Sequence, residues 1–142
     1  MAKITATLEG GTAVHMGNGR HTWTADEPVD LGGTDIGPTP YDLLLGALAA
    51  CTCTTLALYC RHKGIKLDRV EATYEYDRIH ARDCEECDDP KSGFIDRIQS
   101  QVRIDGDFDE AQRKRLEQIV GRCPVHKTLA NPMVLTDEVG FG

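Results

Sequence analysis

The sequence predicts one domain over residues 1–142 in which antiparallel strands are interrupted by two helices. Three observations carry that expectation. Residues 3–8 alternate apolar and polar, and Gly10-Gly11 and Gly17-Asn18-Gly19 then punctuate two or three short strands reaching to about Ala25. A capped apolar run extends from Thr39 to Lys63, and two more alternating stretches lie near residues 70–77 and 94–104.

The elements follow in order. Residues 26–40 hold three prolines, three glycines and several acids, which reads as a loop that delivers the chain to a helix. That helix opens with Thr39 as N-cap, Pro40 at the first helical position and Asp42 three residues after the cap, and Gly64 stops it. Leu44, Ala47, Leu48, Cys51, Thr55 and Leu58 fall on one stripe, and Gly46, Ala49, Ala50, Cys53, Ala57 and Cys60 on a second stripe of small residues. Such a helix is expected to be central, covered on two sides and crossed by a partner helix.

Val70, Ala72, Tyr74 and Tyr76 alternate with polar residues, as do Phe94, Ile98, Val102 and Ile104, so the two stretches read as a long hairpin. A charged connection, residues 81–93, carries Cys84 and Cys87. A second helix begins near Asp109 and places Leu116, Ile119, Val120 and Cys123 inward. Pro124 interrupts it and opens a short turn through residues 125–129, Asn131-Pro132 ends that turn, and residues 133–136 read as a final strand.

Composition excludes several classes of function. Sixteen basic against 23 acidic residues give a formal charge of -7, with no basic footprint for nucleic acid and repulsion from anionic lipid. The first residues lack an apolar signal region, which makes the cytoplasm the expected compartment. There the six cysteines are expected as thiols rather than as a disulfide framework. Residues 43–60 are 18 uncharged positions, at the lower limit of a membrane span; threonines, Gly46 and three cysteines dilute the run, and a buried core helix is the better reading.

Taken alone, Cys51 reads as a buried structural cysteine. The motif Arg122-Cys123-Pro124-Val125-His126-Lys127-Thr128-Leu129 changes that reading, because two cysteines on the inward faces of two helices can meet in the core. Cys53 is a poorer partner, lying about 200° around the helix from Cys51.

Gly37-Pro38-Thr39-Pro40-Tyr41-Asp42-Leu43-Leu44 leading to Ala50-Cys51, with Cys123-Pro124-Val125-His126 far downstream, resembles the OsmC/Ohr family, in its OsmC-like branch. The resemblance covers roughly residues 5–139. It implies an α+β fold of antiparallel sheets packed around two central helices, in an intertwined homodimer with two sites at the interface. It also implies thiol-dependent reduction of organic hydroperoxides, with Cys51 peroxidatic and Cys123 resolving, no cofactor, and recharging by a dithiol or a lipoylated protein.

The chemistry makes its own demands on these residues. Only a thiolate attacks an O–O bond well, so Cys51 needs a nearby cation or hydrogen-bond donors; burial alone would suppress its ionisation. Arg20, in Gly17-Asn18-Gly19-Arg20-His21, matches a family arginine that fills this role, and equally suits a solvated hairpin arginine. An apolar wall from Leu44, Leu48, Leu58 and Val125 would favour alkyl or lipid hydroperoxides. One departure stands out. The family hydroperoxidases place a glutamate directly after the helix-opening proline to hold the arginine, whereas here Tyr41 follows Pro40 and Asp42 comes next, about 100° further round the helix. Asp42 reads as a capping carboxylate, with Tyr41 and Asp42 both retained as possible support.

His80, Cys84 and Cys87 form a rival constellation. They offer three ligands for zinc, with Asp83, Asp88 or a residue from another chain as a fourth, and equally suit a surface loop or a reversible Cys84–Cys87 redox pair; a non-enzymatic sensing or zinc-binding module of the same fold is the alternative function. His126 suits a ligand or base role, and equally a capping one.

Overall fold

The computed structural model describes residues 2–80 and 93–142, with His80 described by its backbone alone. The element order is β1 (Thr5–Thr7), β2 (Val14–Gly17), β3 (Thr22–Ala25), a 3₁₀ turn (Val29–Leu31), α1 (Pro40–Lys63), β4 (Arg69–His80), β5 (Phe94–Asp105), α2 (Glu110–Val120) and α3 (Pro124–Ala130). This is an α+β chain with antiparallel sheets and three helices. It divides into two compact units, Met1–Gly46 and Ala47–Gly142, with α1 beginning in the first and continuing in the second.

In the first unit, β1, β2 and β3 form an antiparallel sheet in chain order, with His15 paired to Thr7 on one side and Thr24 on the other. Asn18 makes the β2–β3 turn: its side-chain oxygen accepts from the Arg20 and His21 N–H groups at 2.9 and 2.8 Å, an Asx-type closure, and Gly19 takes a φ of 90°. Arg20 is thereby presented at an exposed hairpin tip.

The loop after β3 is organised by one buried carboxylate. Asp26 is 2% exposed and accepts from the Thr12 hydroxyl at 2.6 Å, the Thr34 hydroxyl, and the N–H groups of Glu27, Thr34 and Ile36 at 2.7, 3.2 and 3.3 Å. These donors, led by the two threonine hydroxyls, hold its carboxyl well below the usual range even though burial opposes ionisation. The loop is drawn so close that a Cβ at Gly33 would lie 1.8 Å from the Glu27 carbonyl oxygen, which demands glycine there. At its end the Asp42 N–H donates to Thr39 Oγ1 at 3.1 Å, while the Thr39 N–H donates to Asp42 Oδ2 at 3.0 Å, a complete capping box for α1.

In the second unit, β4 and β5 form a two-stranded antiparallel sheet whose register places Val70, Ala72, Tyr74 and Tyr76 opposite Ile104, Val102, Ser100 and Ile98. Val70, Val102 and Ile104 pack, with Tyr59, Ile65, Leu67 and Val120, against a core of Leu56, Cys60, Phe108, Leu116 and Ile119. Asp109 caps α2 through a reciprocal box with Gln112. Burying Leu56, which has no exposed surface, is worth about 1.5–3 kcal/mol.

Three expectations are corrected. The buried face of α1 is Leu48, Thr52, Leu56 and Cys60, spaced by four, and it cuts across both expected stripes; Leu58 is 53% exposed and contributes no wall beside Cys51. The second helix stops at Val120, because Gly121 caps it before the chain reaches Cys123. Residues 133–136 form no strand, and Val134 and Leu135 are exposed at 88% and 82%; a strand exists only by pairing, and their alternation alone provides no partner.

Candidate active site

In the second unit, Cys51 on α1 and Cys123 at the start of α3 come near enough for each thiol to shift the other's ionisation. Cys51 lies on α1 one residue before the fully buried Thr52, so it sits at the edge of the inward face and is half-buried. Cys123 has no exposed surface. It is the N-cap of α3, where its sulfur takes the place usually held by an oxygen and accepts from the His126 N–H at 3.5 Å. Pro124, with no N–H to satisfy, fits the first position of that turn.

The surroundings treat the two thiols differently. Burial raises the pKa of Cys51, and its hydrogen bond with Cys123 raises it further; the Val125 N–H and the Thr55 hydroxyl, 4.0 Å away, pull in the other direction without prevailing. Burial also opposes ionisation of Cys123, but hydrogen bonds from Cys51, the His126 and Val125 N–H groups and the Thr52 hydroxyl outweigh it and lower that pKa. The two groups titrate as a pair.

Thr52 and Tyr74 belong to this site and were not singled out by sequence reasoning. Their hydroxyls meet at 2.7 Å, joining the buried face of α1 to β4. Thr52, Thr54 and Thr55 in an apolar helical run hinted at a buried polar contact without marking which of them makes it. Nothing in the strand alternation marked Tyr74 as its partner.

The remaining residues are placed as follows. His126 touches Cys123 through its backbone, while its side chain is exposed. Asp42 serves the capping box, Tyr41 is 52% exposed, and Arg20 is at the β2–β3 tip of the first unit. Cys84, Cys87 and the His80 side chain lie outside the described residues; among the described residues no cluster of three or more metal-ligating side chains occurs. By length and composition α1 can cross a bilayer, with a mean hydropathy of 1.9, yet Leu56 and Cys60 on it belong to the core cluster.

The model of the OsmC-like protein family matches residues 32–137, a span that contains both cysteine motifs. The chain belongs to the OsmC family. Among solved structures, the OsmC-like protein of Mycoplasma pneumoniae is 24% identical with a TM-score of 0.70, over 92% of this chain and 87% of that one. An organic hydroperoxide resistance protein from Elizabethkingia anophelis is 23% identical with a TM-score of 0.61, over 89% and 86%. The organic hydroperoxide resistance protein OhrB of Bacillus subtilis is 23% identical with a TM-score of 0.57, over 89% and 88%. These likenesses establish the OsmC fold. No protein in a search of curated sequences matches the chain.

Proposed function

We propose that this OsmC family member is a thiol-dependent peroxidase that reduces organic hydroperoxides to alcohols and so defends the cell against oxidative stress. One observation carries the reading: the Cys51 and Cys123 thiols lie near enough to shift each other's ionisation, and Cys51 is the more accessible of the two. A half-buried sulfur is open to a small substrate, and a buried neighbour is suited to resolve it. Two proteins of similar fold that are named for organic hydroperoxide resistance support the substrate class.

In the first step the Cys51 thiolate attacks one peroxide oxygen. The S–O bond forms, the O–O bond breaks, and the alkoxide leaves as alcohol after taking a proton. The Cys123 thiolate then attacks the sulfenic sulfur; the S–S bond forms and the oxygen departs as hydroxide, protonated to water. A dithiol, free or as a lipoylated protein, returns two electrons by disulfide exchange. Because burial and Cys123 both oppose ionisation of Cys51, a cation is needed for the first step, and Arg20 is proposed to supply it. Tyr41, Asp42 and His126 have at most a supporting part. The working unit is proposed to be a cytoplasmic homodimer that requires no cofactor.

Reduced protein mixed with cumene hydroperoxide and a dithiol is expected to consume peroxide catalytically. Cys51→Ser should abolish turnover, Cys123→Ser should cripple it, and Arg20→Ala should slow it about 10²-fold. Turnover that survives Cys51→Ser would remove the reading. A reversible disulfide without turnover, or zinc lost only on replacing Cys84 or Cys87, would point instead to a sensing or metal-binding module. Sedimentation at micromolar concentration tests the dimer.

A further inference from the structure

The threonines that follow Cys51 on α1, Thr52, Thr54 and Thr55, send their hydroxyls to different places. Thr52 Oγ1 meets the Tyr74 hydroxyl at 2.7 Å, and Thr54 is exposed. Thr55 is half-buried, and among the described residues its hydroxyl has one hydrogen-bond partner, Cys51 Sγ at 4.0 Å. Residues four apart lie one above the other on a helix, which brings this hydroxyl beside the sulfur. A helical threonine has a competing partner in the carbonyl one turn earlier. Thr128 on α3 takes that bond, donating to the Pro124 carbonyl at 3.0 Å, whereas Thr55 is turned to the sulfur.

In the resting thiol either group can donate, and the contact is long. The reacting form settles the direction: a thiolate carries no proton, so the hydroxyl must donate to it. A bond to an ionised acceptor is shorter and stronger than a neutral one, so the contact tightens once the sulfur is charged. We infer that Thr55 is a further catalytic residue, whose hydroxyl donates to the Cys51 thiolate and holds that sulfur for attack on the peroxide. This rests on the peroxidase reading and deepens it. The sulfur's electron pair forms the S–O bond, the O–O bond breaks and the alkoxide leaves as alcohol after taking a proton; the Thr55 proton stays on its own oxygen. The hydroxyl brings no charge, so a cation is still required. It works in the same sense as one, against the burial and the Cys123 thiol that suppress ionisation of Cys51. Among the described residues, Cys123 at the start of α3 is the titratable group that perturbs Cys51.

The test follows alkylation of Cys51 by iodoacetamide between pH 6 and 11, read by peptide mass, in the Cys123→Ser background, where one thiol of the pair is left to titrate. Thr55→Val keeps the shape of the side chain and removes the donor. The midpoint of the profile is expected to rise by about half to one pH unit. Alkylation at pH 7 should slow about two- to threefold while the plateau at high pH rises, because a less acidic thiolate is the stronger nucleophile. Oxidation of Cys51 by cumene hydroperoxide at pH 7, trapped with dimedone, should slow in the same sense. Thr55→Ser retains a hydroxyl and should restore midpoint and rates. Thr54→Val makes the same change on the exposed side of the helix and should leave the profile in place. A midpoint that Thr55→Val does not move, that serine does not restore, or that Thr54→Val moves equally would overturn the inference. Should the parent protein release no cumyl alcohol, the peroxidase reading fails by itself, and the alkylation profiles still decide whether Thr55 supports the thiolate.

Discussion

Each of the two units is built around a buried polar centre, and the two centres are satisfied to different degrees. Asp26 in the first unit receives two hydroxyl and three backbone donors, which lie on a single group. In the second unit, the hydroxyls of Thr55 and Thr52 and the N–H groups of residues 125 and 126 are shared between two sulfurs that perturb each other. The saturated carboxylate is locked in one charge state and acts as a structural anchor. In the divided pair the surroundings oppose ionisation of Cys51 and favour it at Cys123, so the Cys51 thiolate needs a further charge to support it.

Removing chemistry from the divided centre gives the largest effect. Cys51→Ser is expected to lower peroxide turnover by about 10³-fold or more while leaving circular dichroism intact, measured by peroxide consumption with a dithiol present. A comparable loss of folding energy arises beneath that centre. Leu56→Ala, at a position with no exposed surface four residues beyond Thr52, should cost about 2–5 kcal/mol in urea unfolding.

The saturated centre is probed by pH. Because the folded pKa of Asp26 is depressed, its stabilisation is present above the unfolded carboxylate range, near pH 4, and fades as pH falls from there toward the folded value. Replacing Thr12 and Thr34 together by valine removes its two hydroxyl donors. The folded pKa then rises and acid unfolding should begin at higher pH, by about half to one pH unit, measured by tryptophan fluorescence. An unchanged acid profile would show that the backbone donors suffice, which would narrow the contrast between the two centres. The smallest effect is expected away from both: Asp109→Ala, which opens the α2 capping box, should cost about 1 kcal/mol with peroxide turnover retained.

Local chemistry made part of this molecule legible. Thr39 with Asp42, Asp109 and Pro124 announce where α1, α2 and α3 begin, because capping needs only residues within a turn of one another. Alternation marks β4 and β5, and the paired cysteine motifs mark the family. The sequence assigns partners to Cys51 and Cys123 less well, because these include a hydroxyl one turn along α1 and a backbone N–H of α3.

What the sequence by itself determined is where the three helices start, the alternation of the long hairpin and the two cysteines worth watching. Tertiary structure alone decided which face of α1 turns inward, because apolar and small residues surround that helix and leave its rotation open to whatever packs against it. It also decided that Thr52 and Tyr74 meet and that Cys123 is better stabilised as a thiolate than Cys51. Hydrogen bonds between residues far apart in the chain depend on how the helix and sheet dock, and no local pattern encodes that docking.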